Sequence, residues 1–119
     1  MGSFMEPRIS RREWMMFVAM NRFSIRNGHE DAFETVWRER DSKLKNVPGF
    51  RSFHLLKGAA DEDAGTTLYA SHTIWNSQQD FVNWTHSENF REAHKNAGDN
   101  RDMYTGRPQF EGFEAVVGE

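Results

Sequence analysis

The sequence predicts an α+β domain of ferredoxin-like order, β-α-β-β-α-β. Three observations predict it. FVAMNRFSI near the start and two later runs carry the two-residue alternation or β-branched and aromatic content of strands. Asn27-Gly28 and Ser77 each precede a run with helical apolar spacing, so each reads as a helix start. An acidic, glycine-containing stretch, 58–66, joins two strand-like segments as a surface hairpin does.

The elements follow in order. Residues 1–14 carry Arg8, Arg11 and Arg12 and show no period. They are expected to form a disordered extension, leaving 15–119 as one domain, the number that a chain of 119 residues suggests. The first strand covers 15–26, with Phe17, Ala19, Asn21, Phe23 and Ile25 on one face and Met16, Val18 and Met20 on the other. Both faces read as largely buried. Asn27 with Glu30 resembles an N-cap with a carboxylate reaching back, and a helix over 29–45 puts Phe33, Val36, Trp37 and Leu44 near one side. Pro48-Gly49 ends it. Strands two and three cover 50–57 and 67–75. Ser77, three residues before Asp80, caps a second helix bearing Phe81 and Trp84. Ser87 caps a short third helix over 88–97, where Phe90 and His94 share a face. A polar loop, 98–108, holds Tyr104 and Gly106, and 110–117 is the last strand. Helices on one sheet face leave the other uncovered, exposing Met16, Val18 and Met20 in a monomer. Apolar patches of that kind mark interaction surfaces, so a homodimer with packed sheets is expected.

Composition removes several classes of function. The net charge is −3 and no long basic run occurs in the domain, which gives nucleic-acid binding no support. Without cysteine there are no disulfides, no thiolate haem ligand and no iron–sulfur cluster. No apolar run approaches a membrane span of roughly 20 residues, and the start lacks a signal-peptide core. The expectation is a cytoplasmic protein with no membrane association.

Three residues carry candidate chemistry. His94 lies on a helix that can hold an imidazole rigidly toward a metal; the plainer reading is a surface histidine near a helix end. Trp84 is a core residue by its neighbours Phe81 and Phe90, or a wall pressed against a flat ring. Asn21 interrupts an apolar strand, where asparagine is depleted. Its amide either satisfies a bulge or strand end, or offers N–H donors to a small ligand such as dioxygen. Asn21 shares a face with Phe17, Ala19, Phe23 and Ile25. If that face meets the helices, all three residues border one gap suited to a flat apolar cofactor. His54 and His72, on neighbouring strands, offer a weaker non-haem metal site.

The segments FVAMNRF, VPGFRSFHLL, YASHTIWNSQQDFVNWTHSENFREAHKNAG and FEGFE together resemble the IsdG/HmuQ haem-degrading group. That group lies within the antibiotic-biosynthesis monooxygenase, or dimeric α+β barrel, superfamily. The similarity runs over 17–117. The resemblance implies that Asn21 is the catalytic asparagine, Trp84 the ring-distorting tryptophan and His94 the proximal ligand to haem iron. It implies a pocket-wall role for Trp37 and a propionate neighbour in Arg40. It further implies a homodimer that opens haem to a linear, biliverdin-like tetrapyrrole and releases iron. Haem would serve as substrate and cofactor, with dioxygen and an external electron donor, a reductase or small-molecule reductant. The rivals are a cofactor-free oxygenase of the same superfamily acting on an aromatic substrate, and a haem carrier without turnover.

Overall fold

A computed structural model describes residues 14–40, 42–95 and 97–119, with the side chains of 97–99 left aside. The elements are β1 (Phe17–Arg26), α1 (Glu30–Glu39), β2 (Phe50–Asp61), β3 (Thr66–Trp75), α2 (Gln78–Thr85), α3 (Glu88–His94) and β4 (Gln109–Glu114). Short 3-10 segments stand at Leu44–Asn46 and Ala97–Met103. The sheet order is β2-β3-β1-β4 with every neighbouring pair antiparallel, the ferredoxin-like arrangement. The expected extension lies outside the described residues except for Trp14, which packs beside Gly118.

The alternation in β1 sorts its side chains as expected. Phe17, Ala19, Phe23 and Ile25 are buried under the helices. They feed two clusters: Phe17 and Ala19 join Leu44, Trp75 and Trp84, whereas Phe23 and Ile25 join Phe33 and Tyr69. The opposite face of β1 is less buried than its apolar residues alone suggest and matches the uncovered sheet face expected of a single chain. Met16, Val18 and Met20 are only partly buried, because no helix covers that side of the sheet. On the same sheet face, Leu68 on β3 is 42% exposed, Leu56 on β2 43% and Phe113 on β4 51%.

The first helix is shorter than its apolar spacing predicts, ending at Glu39 rather than near Lys45. Arg40 is already extended and Lys43 takes a left-handed conformation at φ 58°. The break lets Leu44 drop into the core cluster beneath β1, which a continuous helix would carry past it. The start is shifted as well. His29 is the cap residue, and Glu30 reaches back to accept from the Gly28 N–H at 2.8 Å. Two side-chain bonds then fasten α1 to β3. The Thr67 hydroxyl donates to Glu30 at 3.0 Å and the Tyr69 phenol to Glu34 at 2.6 Å. Val47-Pro48-Gly49-Phe50 makes a tight turn, with the Phe50 N–H bonded to the Val47 carbonyl at 3.1 Å and Gly49 at φ 83°.

Strand β2 runs to Asp61, past the expected end at Lys57. Its extension through Gly58, Ala59 and Ala60 has poor strand propensity, but pairing with β3 supplies the ladder, with a register shift between Lys57 and Ala60. Ser77 and Ser87 cap α2 and α3 as expected, accepting from the N–H groups of Asp80 and Phe90, each at 3.1 Å. Strand β4 stops at Glu114, short of the predicted 117. Gly112 lies opposite Ala19, and a Cβ there would stand 2.6 Å from the Phe17 ring.

Candidate functional site

Between the covered sheet face and the helices lies a cavity of about 770 Å³. Small-molecule sites usually span about 300–1,000 Å³. The sheet forms its floor through Ala19, Asn21, Ser71 and Thr73; α2 and α3 form one wall and α1 another. All five predicted site residues, Asn21, Trp37, Arg40, Trp84 and His94, line it. Asn21 therefore stands on the covered side of the sheet, with Ala19 and Phe23.

Asn21 sits in mid-sheet, paired with Ser71 on β3 and Phe110 on β4. Unlike its neighbours Ala19 and Phe23, it is only partly buried. Its ladder pairing is regular, so the bulge explanation for an asparagine here does not apply. Its amide has no hydrogen-bond partner among the described residues. An amide held on a rigid strand beside an apolar cavity is a placed donor and acceptor.

His94 closes α3. Its Nδ1 lies 2.8 Å from the carbonyl oxygen of Phe90, one turn earlier. That carbonyl can only accept, so Nδ1 carries the proton in this contact and Nε2 keeps its lone pair. This is the arrangement that metal-binding histidines use, with the second nitrogen fixed by a backbone carbonyl. The ring stacks on Phe90 at 4.1 Å between centroids. Burial lowers the His94 pKa from its ordinary 6.5, opposed by the Phe90 contact and assisted by the Arg40 charge. The imidazole is therefore neutral at neutral pH and able to donate its lone pair.

Trp84 belongs to the core and to the cavity at once. It is 8% exposed, packed between Trp75 at 5.5 Å and Phe90 at 4.8 Å, with His94 at 6.0 Å. Trp37 stacks on Phe53 at 5.6 Å, and the Arg40 guanidinium lies 4.2 Å from the Trp37 ring centroid. The indole nitrogens of Trp37 and Trp84 are both buried without a hydrogen-bond partner. Each such orphaned donor costs about 1–3 kcal/mol unless something accepts from it.

The sequence reading did not assign Tyr104, Arg101 or Arg107 to the site, yet all three line the cavity. The Tyr104 ring packs against Phe23 at 5.9 Å and Phe33 at 5.8 Å. Burial raises its pKa and the nearby Arg40 charge opposes the rise, so the phenol stays protonated at neutral pH. An aromatic residue inside an otherwise polar loop was the one available signal. His54 and His72 are cross-strand neighbours on the uncovered sheet face, away from the cavity. No group of three or more potential metal ligands occurs among the described residues, which leaves that pair without a third ligand.

The profile of the antibiotic biosynthesis monooxygenase family matches residues 16–96. A heme oxygenase (staphylobilin-producing) of Staphylococcus epidermidis is 28% identical over 87 residues, covering 73% of this chain and 81% of that protein. The structure of the heme-degrader MhuD of Mycobacterium tuberculosis, with two hemes bound in its active site, is 25% identical. It superposes with a TM-score of 0.65 over 87% of this chain and 98% of its own. A mutant of SnoaB, a cofactor-independent oxygenase of Streptomyces nogalater, is 19% identical, with a TM-score of 0.63 over 87% and 95% of the two chains. At that identity the likeness speaks for the fold alone.

Proposed function

The chain belongs to the antibiotic biosynthesis monooxygenase family, and from that premise we propose that it is a haem-degrading monooxygenase. In this reading it opens the haem ring to a linear, biliverdin-like tetrapyrrole and releases iron, using dioxygen and electrons from an external reductase or small-molecule reductant. The observation that carries the reading is His94. It is a neutral histidine with Nδ1 engaged by a backbone carbonyl and Nε2 left as a ligand, at the wall of a large aromatic cavity. The likeness to two haem-degrading proteins supports it.

When bound, haem supplies both the iron that activates dioxygen and the macrocycle that is cut. The chain's own residues do the rest. His94 Nε2 would hold the iron, with the Phe90 carbonyl fixing the tautomer and ring orientation that this needs. Asn21 offers amide N–H groups on the cavity floor, where they bond to no acceptor among the described residues. Trp84, wedged by Trp75 and Phe90, is a stiff wall that does not yield to a planar ligand. A protein's distortion of the macrocycle is one of its recognised controls on haem chemistry. Trp37 forms part of the opposite wall, and Arg40 brings a cation to the edge. Apolar walls keep bulk water from the reacting ring.

The uncovered sheet face completes the proposal. Leu56, Leu68 and Phe113 stand exposed on it, and we assign it to a second copy of the chain, giving a cytoplasmic homodimer with packed sheets. Among the described residues no helix is long and apolar enough to cross a membrane. Haem titration followed by single turnover tests the function. Ring opening with catalase present supports the oxygenase, stable bound haem indicates a carrier, and absence of binding favours a cofactor-free oxygenase. Sedimentation tests the dimer; a monomer at tens of micromolar would refute it.

A further inference from the structure

The segment from Ala97 to Pro108 lies beyond the stretch matched by the family profile, so family membership assigns it no role. It is nevertheless pinned to β1 beside the cavity, where Arg101, Tyr104, Gly106, Arg107 and Pro108 are among the lining residues. The Thr105 N–H donates to the Ser24 carbonyl at 3.0 Å, and Arg26 Nε donates to the Asp102 carbonyl at 3.1 Å. Tyr104 pairs with Ile25 as an isolated bridge and sets its ring against Phe23 and Phe33. An anchored strap of this kind holds the backbone of its flanking residues near fixed positions. Those flanking residues are Arg101 and Arg107, both exposed and both lining the cavity. Pro108 restricts the backbone of Arg107 to extended conformations.

The charge pattern is one-sided. Arg40, Arg101 and Arg107 line the cavity, and no carboxylate does among the described residues. None of the three has an ion-pair partner there, whereas Arg22, Arg38 and Arg91 all pair with glutamates. This holds in a chain of net charge −3 with 18 acidic residues, where a cationic rim with no ion pair among the described residues is not the default outcome. Guanidinium groups grip carboxylates by paired N–H donors. They also raise the local concentration of anionic ligands by long-range attraction.

We infer that Arg101 and Arg107 form an anion clamp on the strap, selecting planar apolar ligands that carry carboxylates at one edge. The inference rests on the proposed haem site for the identity of that ligand, but the charge preference is separable from it. Two probe pairs separate them, each an acid against its own ester. The first is metal-free protoporphyrin IX and its dimethyl ester, read by tryptophan fluorescence quenching. The second is anthracene-9-carboxylate and its methyl ester, read by their own emission. The full chain is compared with the double variant R101Q/R107Q, whose substitutions fall on exposed side chains.

The wild type is expected to bind the porphyrin diacid at least tenfold more tightly than the diester, with the preference shrinking as salt rises. The double variant should lose most of that preference by weakening diacid binding while leaving diester binding unchanged. Equal binding of diacid and diester by the wild type, or an undiminished preference in the variant, overturns the clamp and leaves the haem reading intact. Binding of neither porphyrin, with the anthracene acid still preferred and that preference lost in the variant, upholds the clamp and sinks the haem reading. No preference within either pair overturns the clamp.

Discussion

Asn21→Leu separates a functional asparagine from a structural one. The substitution keeps roughly the same shape and removes only the amide. In the structure that amide bonds to nothing among the described residues, and its strand pairs regularly on both sides. Folding therefore gains no side-chain hydrogen bond from it while partly removing it from water. Burying an unpaired polar group costs about 1–3 kcal/mol when complete. For a half-buried residue, roughly half of that is a fair expectation. Leucine also suits the apolar neighbours Ala19, Phe23 and Phe110. Asn21→Leu should thus be stabilising by about 0.5–1.5 kcal/mol. At about 4–8 °C per kcal/mol for a domain near this size, the midpoint should rise by about 2–12 °C. Calorimetry and urea unfolding of the ligand-free protein give that number directly. Haem affinity should change little, whereas conversion to a linear tetrapyrrole should fall at least a hundredfold. A loss of more than about 1 kcal/mol would mean that the amide makes a structural bond and that the reasoning from its isolation is wrong. Unimpaired ring opening in a folded variant would remove Asn21 from the mechanism.

Other consequences follow from the same contacts. His94→Ala should abolish the histidine-ligated spectrum and weaken haem binding at least tenfold; an unchanged Soret band and affinity would exclude His94 as ligand. Because burial holds the His94 pKa below 6.5, haem affinity should stay level as pH falls to that value and drop only below it, as the folded-state imidazole takes a proton. The sign for stability is the same: the unfolded chain binds that proton first, so the His94 contribution is present above 6.5 and lost as pH falls. A fall in affinity that begins above pH 7 would contradict the assignment. Trp84→Ala empties a tightly packed site and should cost about 3–5 kcal/mol. Trp84→Phe should cost less and is the variant in which to look for slower ring opening and a flatter haem by resonance Raman. Gly112→Ala drives a methyl into the Phe17 ring and should cost about 1–3 kcal/mol by urea unfolding; a neutral result would show that β4 shifts freely.

The parts of this molecule that were legible in the sequence are those where local pattern and tertiary environment agree. Alternation in FVAMNRFSI reports the buried face of β1, because a sheet turns period two directly into burial. Ser77 and Ser87 announce their helices because a cap is a local hydrogen bond. The end of α1 was not legible: apolar spacing runs on to Leu44, and only the core under β1 makes the chain unwind after Glu39 to deliver that side chain. The tail of β2 was hidden for the converse reason, since Gly58, Ala59 and Ala60 join the sheet through pairing with β3 rather than by propensity. In the candidate site, Asn21 stood out as a polar residue in an apolar strand, whereas Trp84 and His94 were singled out by the resemblance to the haem-degrading group. Arg101 and Arg107 did not stand out, because an arginine in a polar loop is ordinary until Tyr104 and Thr105 tie that loop to β1 beside the cavity.

The most direct test is an anaerobic titration of the purified protein with ferric haem, followed by reductant and then air, with optical spectra and product mass recorded and catalase present. A haem oxygenase requires saturable binding with a histidine-ligated spectrum, then loss of the Soret band, a linear tetrapyrrole by mass and iron captured by a chelator. Haem that binds and survives reductant and oxygen unchanged, or that fails to bind saturably, would contradict the proposed function.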